Sequence, residues 1–162
     1  MNRSWKFALA LVAAGTLATT VAGTALAQQR LFFGIATGGT GGTYYPLGGM
    51  LAQLISNKAT VGGQKISATA EAAGASVGNA KLLGNKEIES AFVAADILDA
   101  AYNGAGQFQG APLKNVRALG ALYPETVQLI TRADMGINSV RDLKGKSVSS
   151  GAPGSGQYQL LT

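Results

Sequence analysis

Four short stretches hold the residues best suited to chemistry, and each follows an apolar run. They are Thr37-Gly-Gly-Thr-Gly-Gly-Thr43-Tyr44-Tyr45-Pro46, Ala72-Ala-Gly-Ala-Ser76-Val-Gly-Asn79, Val93-Ala-Ala-Asp96 and Ser149-Ser-Gly-Ala-Pro-Gly154-Ser155-Gly156. Glycines let a backbone turn sharply and approach a ligand closely. A helix beginning just after such a turn offers free N–H groups and the positive end of its dipole, which favour a carboxylate or another anion. Binding of a small acid is the chemistry this pattern suits. Thr43 is placed to cap the helix that follows it. Ser76 is placed either to cap a helix or to bond a ligand. Asp96 has three readings: a cap, which is favoured, a piece of cleft wall, or an acceptor for a ligand ammonium.

Other chemistries are excluded by what is missing. A Walker loop needs a lysine after its last glycine, where this chain has Thr43-Tyr44, and the G-x-G-x-x-G spacing of dinucleotide sites also fails. The chain contains no histidine and no cysteine. That removes His/Cys zinc sites, Ser-His-Asp triads and Cys-His nucleophile pairs, so no metal or cofactor is expected. Carboxylates such as Glu71 and Asp96 remain, but no pair of them shares a junction, and an enzyme is not expected.

The elements that must position these junctions follow from hydrophobic periodicity. Leu31–Ala36 reads as a strand, and Tyr44–Asn57 as a helix with Leu47, Met50, Leu51, Leu54 and Ile55 on one face. Lys65–Glu71 alternates as a second strand, followed by a helix over Ala75–Leu83 closed by Gly84. Ile88–Val93 reads as a third strand and Asp96–Tyr102 as a third helix ended by Asn103-Gly104. After a Gly- and Gln-rich loop over Gly104–Pro112, Val116–Tyr123 and Thr126–Arg132 read as further strands, and so does Lys146–Ser150. Alternating strands and helices imply parallel pairing and an α/β architecture. Open parallel sheets bind ligands at the carboxyl ends of their strands, where the four junctions fall.

The first 27 residues carry a different signal. Arg3 and Lys6 precede an apolar run from Phe7, and Ala25-Leu26-Ala27 is a small-x-small cleavage pattern. A membrane anchor is the competing reading, since the run approaches the roughly 20 residues a span requires. Thr16, Thr19, Thr20 and Thr24 dilute it, and no basic stop-transfer flank follows. A cleaved signal peptide and a periplasmic location are therefore expected, with no lipoprotein anchor because no cysteine follows the signal. The formal charge of the whole chain is +5. Its basic residues are scattered without interleaved aromatics, so no nucleic-acid partner is expected.

Taken in order, the Thr37–Gly48 motif, Ala73-Gly-Ala-Ser-Val-Gly-Asn, Asp96, Leu143-Lys-Gly-Lys and Gly151-Ala-Pro-Gly-Ser-Gly resemble the TAXI-type solute receptors of tripartite ATP-independent periplasmic (TRAP) transporters. The resemblance runs from about Leu31 to the end of the chain. It implies a periplasmic-binding-protein type II fold that closes two lobes over a small anionic or zwitterionic solute, an organic acid or an amino acid such as glutamate. It further implies delivery to an integral-membrane TRAP permease; a receptor feeding a sensor kinase is the alternative. Residues 28–135 would form the first lobe, and 136–162 a crossover and the start of the second. By the same resemblance Thr40, Gly42, Thr43 and Tyr44 or Tyr45 would line the first-lobe side of the site, extended by Ser76 and Asp96. Gly154, Ser155 and Gly156 would face them. The chain departs from the pattern at Ala75, where family members carry glycine, at Glu89, where they carry aspartate, and at Ala94-Ala95, where they carry Gln-Ser.

Overall fold

The computed structural model describes residues 30–161. The expected signal peptide over 1–27 lies outside the described residues. The central strand, β1 (Leu31–Ala36), is apolar along its length and buried over its second half, Gly34–Ala36, where β3 and β4 flank it. α1 (Tyr44–Lys58) follows, then a short β2 (Thr60–Val61) joined to β3 (Gln64–Glu71). α2 (Ala75–Gly84), β4 (Ser90–Ala91) and α3 (Ala95–Asn103) complete the layered part, and α4 (Gly156–Leu161) closes the described chain. The sheet order is β2-β3-β1-β4. β1 runs parallel to β3 in the register Leu31↔Ile66 to Ala36↔Glu71, and parallel to β4 through Ile35↔Ser90 and Ala36↔Ala91. β2 is antiparallel to β3, across a turn whose Gly62 and Gly63 both have positive φ.

The α/β architecture expected from periodicity is present. The chain leaves β1 toward β3 on one side and returns to β4 on the other. The carboxyl ends of β1 and β4 thus form a switch point.

Two apolar clusters hold these elements. Ile35, Ala52 and Phe92 form one, with Phe33, Leu47, Leu51, Ile55 and Ala68 packed around them. The buried face of α1 is therefore narrower than its apolar face in sequence, because Met50 and Leu54 are exposed. The small residues decide this. Gly48 and Ala52 are the buried residues of α1, and a Cβ at position 48 would lie 2.5 Å from Thr37 Cγ2. The helix can settle onto the sheet only along that ridge. Ser56 adds a polar tie, accepting from the Ala68 N–H at 2.8 Å. The second cluster joins Val77 and Ala80 of α2, Ile97 and Ala101 of α3, and Phe108. Phe108 comes from the Gly104–Pro112 loop, which carries a 3-10 turn at Gly106–Phe108 and buries this ring.

Three expected strands are absent. Val116–Tyr123, Thr126–Arg132 and Lys146–Ser150 enter no ladder among the described residues. A strand needs a hydrogen-bonding edge, and β4 offers only two paired residues beside β1. The side chains that would have packed on a sheet stay exposed, Leu119 at 92% and Ile130 at 85%. The third strand is likewise shorter than Ile88–Val93, reduced to Ser90–Ala91.

Candidate functional site

The first junction leaves β1 with Thr37 fully buried. Its N–H and its hydroxyl both donate to the Glu71 carbonyl, at 2.9 and 2.7 Å, so the ends of β1 and β3 are clamped before the glycine turn begins. The turn closes on itself through the Gly42 N–H, which donates to the Gly39 carbonyl at 2.9 Å. Thr40, Gly42 and Thr43 stand exposed on it, and Tyr44 and Tyr45 are half-buried at the start of α1. Thr43 occupies the position before the helix, but its side chain makes no capping bond, contrary to expectation. The backbone explains this: Thr43 already has helical φ and ψ (−70°, −35°), whereas a capping side chain works from an extended residue. With no acid in the first turn either, the positive end of α1 is left uncompensated.

Ser76 does not cap. It lies inside α2 with 1% exposure, and its Oγ accepts from the Ala94 N–H at 3.0 Å. That bond joins the second junction to the third. Tyr44 OH sits 3.4 Å from the same Oγ, joining the first junction as well. The Tyr44 ring also packs on Phe92, with centroids 5.4 Å apart. Asp96 is not the cap of α3. Ala94 holds that place, and Asp96 is exposed in the first turn, where its charge favours the helix dipole.

Asn79 ties the carboxyl ends of β1 and β4 together. It is completely buried, and its Nδ2 donates to the carbonyls of Thr37 and Phe92 at 2.8 Å each, and of Ala36 at 3.3 Å. The fourth junction lies directly against the second. The Gly154 carbonyl accepts from the Val77 N–H at 3.0 Å, supplying α2 with the cap that Ser76 does not. Gly156 is buried, and a Cβ there would fall 2.9 Å from Ala94 Cβ and 3.3 Å from Ser76 Oγ. Ser155 caps α4, its Oγ accepting from the Tyr158 N–H at 3.1 Å.

The structure therefore brings Tyr44, Ser76, Gly154 and Gly156 together, and leaves Thr40, Gly42, Thr43 and Asp96 on the open side of the same junctions. Two further residues join them that the pattern did not mark. Tyr44 OH donates to Glu125 Oε2 at 3.3 Å, and Tyr123 OH donates to Glu125 Oε1 at 3.5 Å. In sequence, Pro124-Glu125 read only as a break between two apolar runs. Burial pushes the Tyr44 phenol up, the Ser76 bond partly opposes it, and the Glu125 and Asp96 charges add to the rise. The same combination of burial and the Glu125 charge pushes Tyr123 up to about 12. Residues 35–162 match the model of the NMT1-like family.

Proposed function

We propose, from the premise that this chain belongs to the NMT1-like family, which is periplasmic-binding-protein-like, that it is an exported receptor for a small organic acid or amino acid rather than an enzyme. The observation that carries the reading is the uncompensated start of α1 at the carboxyl end of β1. A 15-residue helix presents its first amides there with no capping side chain and no acid in its first turn. The Thr40, Gly42 and Thr43 turn stands open beside it, and Ser76 lies across the switch point between β1 and β4.

Amides fixed by a helix hold a carboxylate without paying for reorientation on binding, and the dipole adds to the attraction. Tyr44 or Tyr45 would pack on the solute, and the turn at Gly154–Gly156 would close the site from beyond α2. Delivery to a TRAP-type permease in the periplasm is the transport role this reading entails, following the motif resemblance.

Calorimetric titration of the purified protein with dicarboxylates and acidic amino acids tests the reading, and heat of binding with at least one is expected. A Thr43→Asp variant sharpens the test. An acid at the helix start favours the fold through the dipole but repels a bound carboxylate, so unfolding midpoints should hold or rise while affinity falls about tenfold or more. If no small acid or amino acid binds, or Thr43→Asp binds as tightly as the parent, the reading is wrong.

A further inference from the structure

Ser76 and Tyr44 belong to a hydrogen-bonded chain whose direction is fixed at both ends. The Ala94 N–H can only donate, and it donates to Ser76 Oγ at 3.0 Å. An ionised carboxylate can only accept, and Glu125 accepts from Tyr44 OH at 3.3 Å. Each hydroxyl carries one proton. The Tyr44 proton points to Glu125, so across the 3.4 Å contact the Ser76 hydroxyl is the donor and the Tyr44 oxygen the acceptor. Tyr123 OH holds the other oxygen of the same carboxylate at 3.5 Å. Both hydroxyls at the switch point have thereby turned their protons along the chain toward Glu125. Ser76 Oγ is buried beneath Gly156, so what the chain leaves for a solute is a lone pair on the half-buried Tyr44 oxygen.

We propose that Glu125 is the specificity-determining residue of this site, acting through Tyr44 so that the site selects a solute bearing an ammonium or other N–H donor over the same acid without one. The inference rests on the reading of the chain as a receptor for a small acid or amino acid. It supplies the half of recognition that the start of α1 does not. A carboxylate at the amides of α1 and a donor at the Tyr44 oxygen describe an α-amino acid. Asp96, on the first turn of α3, adds a second negative charge acting on the same phenol and reinforces the preference. A hydroxyl pair with its protons free would accept a keto or hydroxy acid as readily. The carboxylate at Glu125 removes that option, because a solute acceptor would face the Tyr44 oxygen and an anion.

The test compares matched pairs that differ only at the α-carbon substituent. L-Glutamate with 2-oxoglutarate, L-aspartate with oxaloacetate, and L-alanine with pyruvate are each titrated into the purified protein by calorimetry. The amino member of the best-bound pair is expected to bind at least about tenfold more tightly, the size of one hydrogen bond to a charged partner. Glu125→Gln should lower that ratio about tenfold while the oxo acid binds no more weakly than before. Tyr123→Phe, which loosens the carboxylate without removing it, should lower the ratio by a smaller factor. A merely structural role for Glu125 would weaken both members alike and leave the ratio unchanged. An unchanged ratio in Glu125→Gln, or an oxo acid preferred by the parent protein, overturns the proposal while the receptor reading stands. Failure of every pair to bind, together with every dicarboxylate and acidic amino acid of the receptor titration, overturns both.

Discussion

The Val77 N–H donates to the Gly154 carbonyl at 3.0 Å, so the glycine turn near the end of the chain caps the helix that carries Ser76. Residues 77 apart in sequence are thus held at one helix end, and Gly156 tightens the contact by lying against Ala94 and Ser76. A side chain at 156 cannot be accommodated without moving the turn. Gly156→Val is expected to undock it, raising amide exchange at Val77 about tenfold or more as its acceptor leaves. Hydrogen exchange read residue by residue is the measurement. Unchanged protection at Val77 would mean that the turn does not cap α2.

Ala75 starts α2 with φ +56°, the left-handed region that costs a residue with a Cβ about 1–2 kcal/mol. This is the position at which the resembled receptors carry glycine, and the backbone explains their preference. Ala75→Gly should stabilise the fold by about 1 kcal/mol, part of the relief being offset by the greater freedom of glycine in the unfolded chain. Lys86 offers an internal comparison. It has φ +62° just beyond the end of α2, where the Lys86 and Glu87 N–H groups return to the Leu83 and Leu82 carbonyls. That is a Schellman ending with lysine in the glycine position. Lys86→Gly should give a gain of similar size, about 1 kcal/mol. Urea midpoints that fall in both variants would contradict the argument.

Asn79 is the polar pin of the switch point. Asn79→Ala removes the donor shared by the Thr37 and Phe92 carbonyls and leaves buried acceptors unpaired, at a cost of about 2–3 kcal/mol. Asn79→Asp is expected to cost more, because it turns a donor into a charge aimed at carbonyl oxygens. Chemical denaturation of the two variants gives the order. Parent-like stability in either would show that Asn79 bonds weakly.

Alkaline pH should loosen the Tyr123–Glu125–Tyr44 group. Tyr123 ionises near 12 in the folded chain against 10.0 for an ordinary phenol, and Tyr44 is also raised. A phenol with a raised folded pKa stabilises the fold below its unfolded pKa, and that contribution is lost as pH rises through the folded value. Urea midpoints are therefore expected to fall between about pH 10 and about pH 12, and to fall less steeply in Tyr123→Phe. An equal slope in parent and variant would remove Tyr123 from the account.

The elements legible in the sequence are those whose partners lie close by in the chain. β1 and the three longer helices follow from apolar runs and helical spacing, because burying one face of a local element leaves a periodic trace. The glycine turns were legible as junctions for the same reason. Gly104 ends α3 as expected, whereas α2 runs through Gly84 and turns at Lys86 instead. The residue types on the junctions excluded histidine- and cysteine-based chemistry. Absent histidine and cysteine are facts of composition that no folding can alter.

Sequence alone thus determined the α/β alternation, the order of the junctions and the chemistry they exclude. Tertiary structure decided which residues meet: that Ser76 serves Ala94 and Tyr44 instead of its own helix, that Gly154 caps α2, and that Glu125 reaches Tyr44. It also decided that Val116–Tyr123 and Thr126–Arg132 enter no ladder, because a strand is made by its hydrogen-bonding partner and periodicity records only what one segment could offer. The physical reason is common to all of these. Helix and strand patterns are written by neighbours three, four or two residues away. A site built across four junctions depends on contacts between residues tens of positions apart, and these leave no period behind.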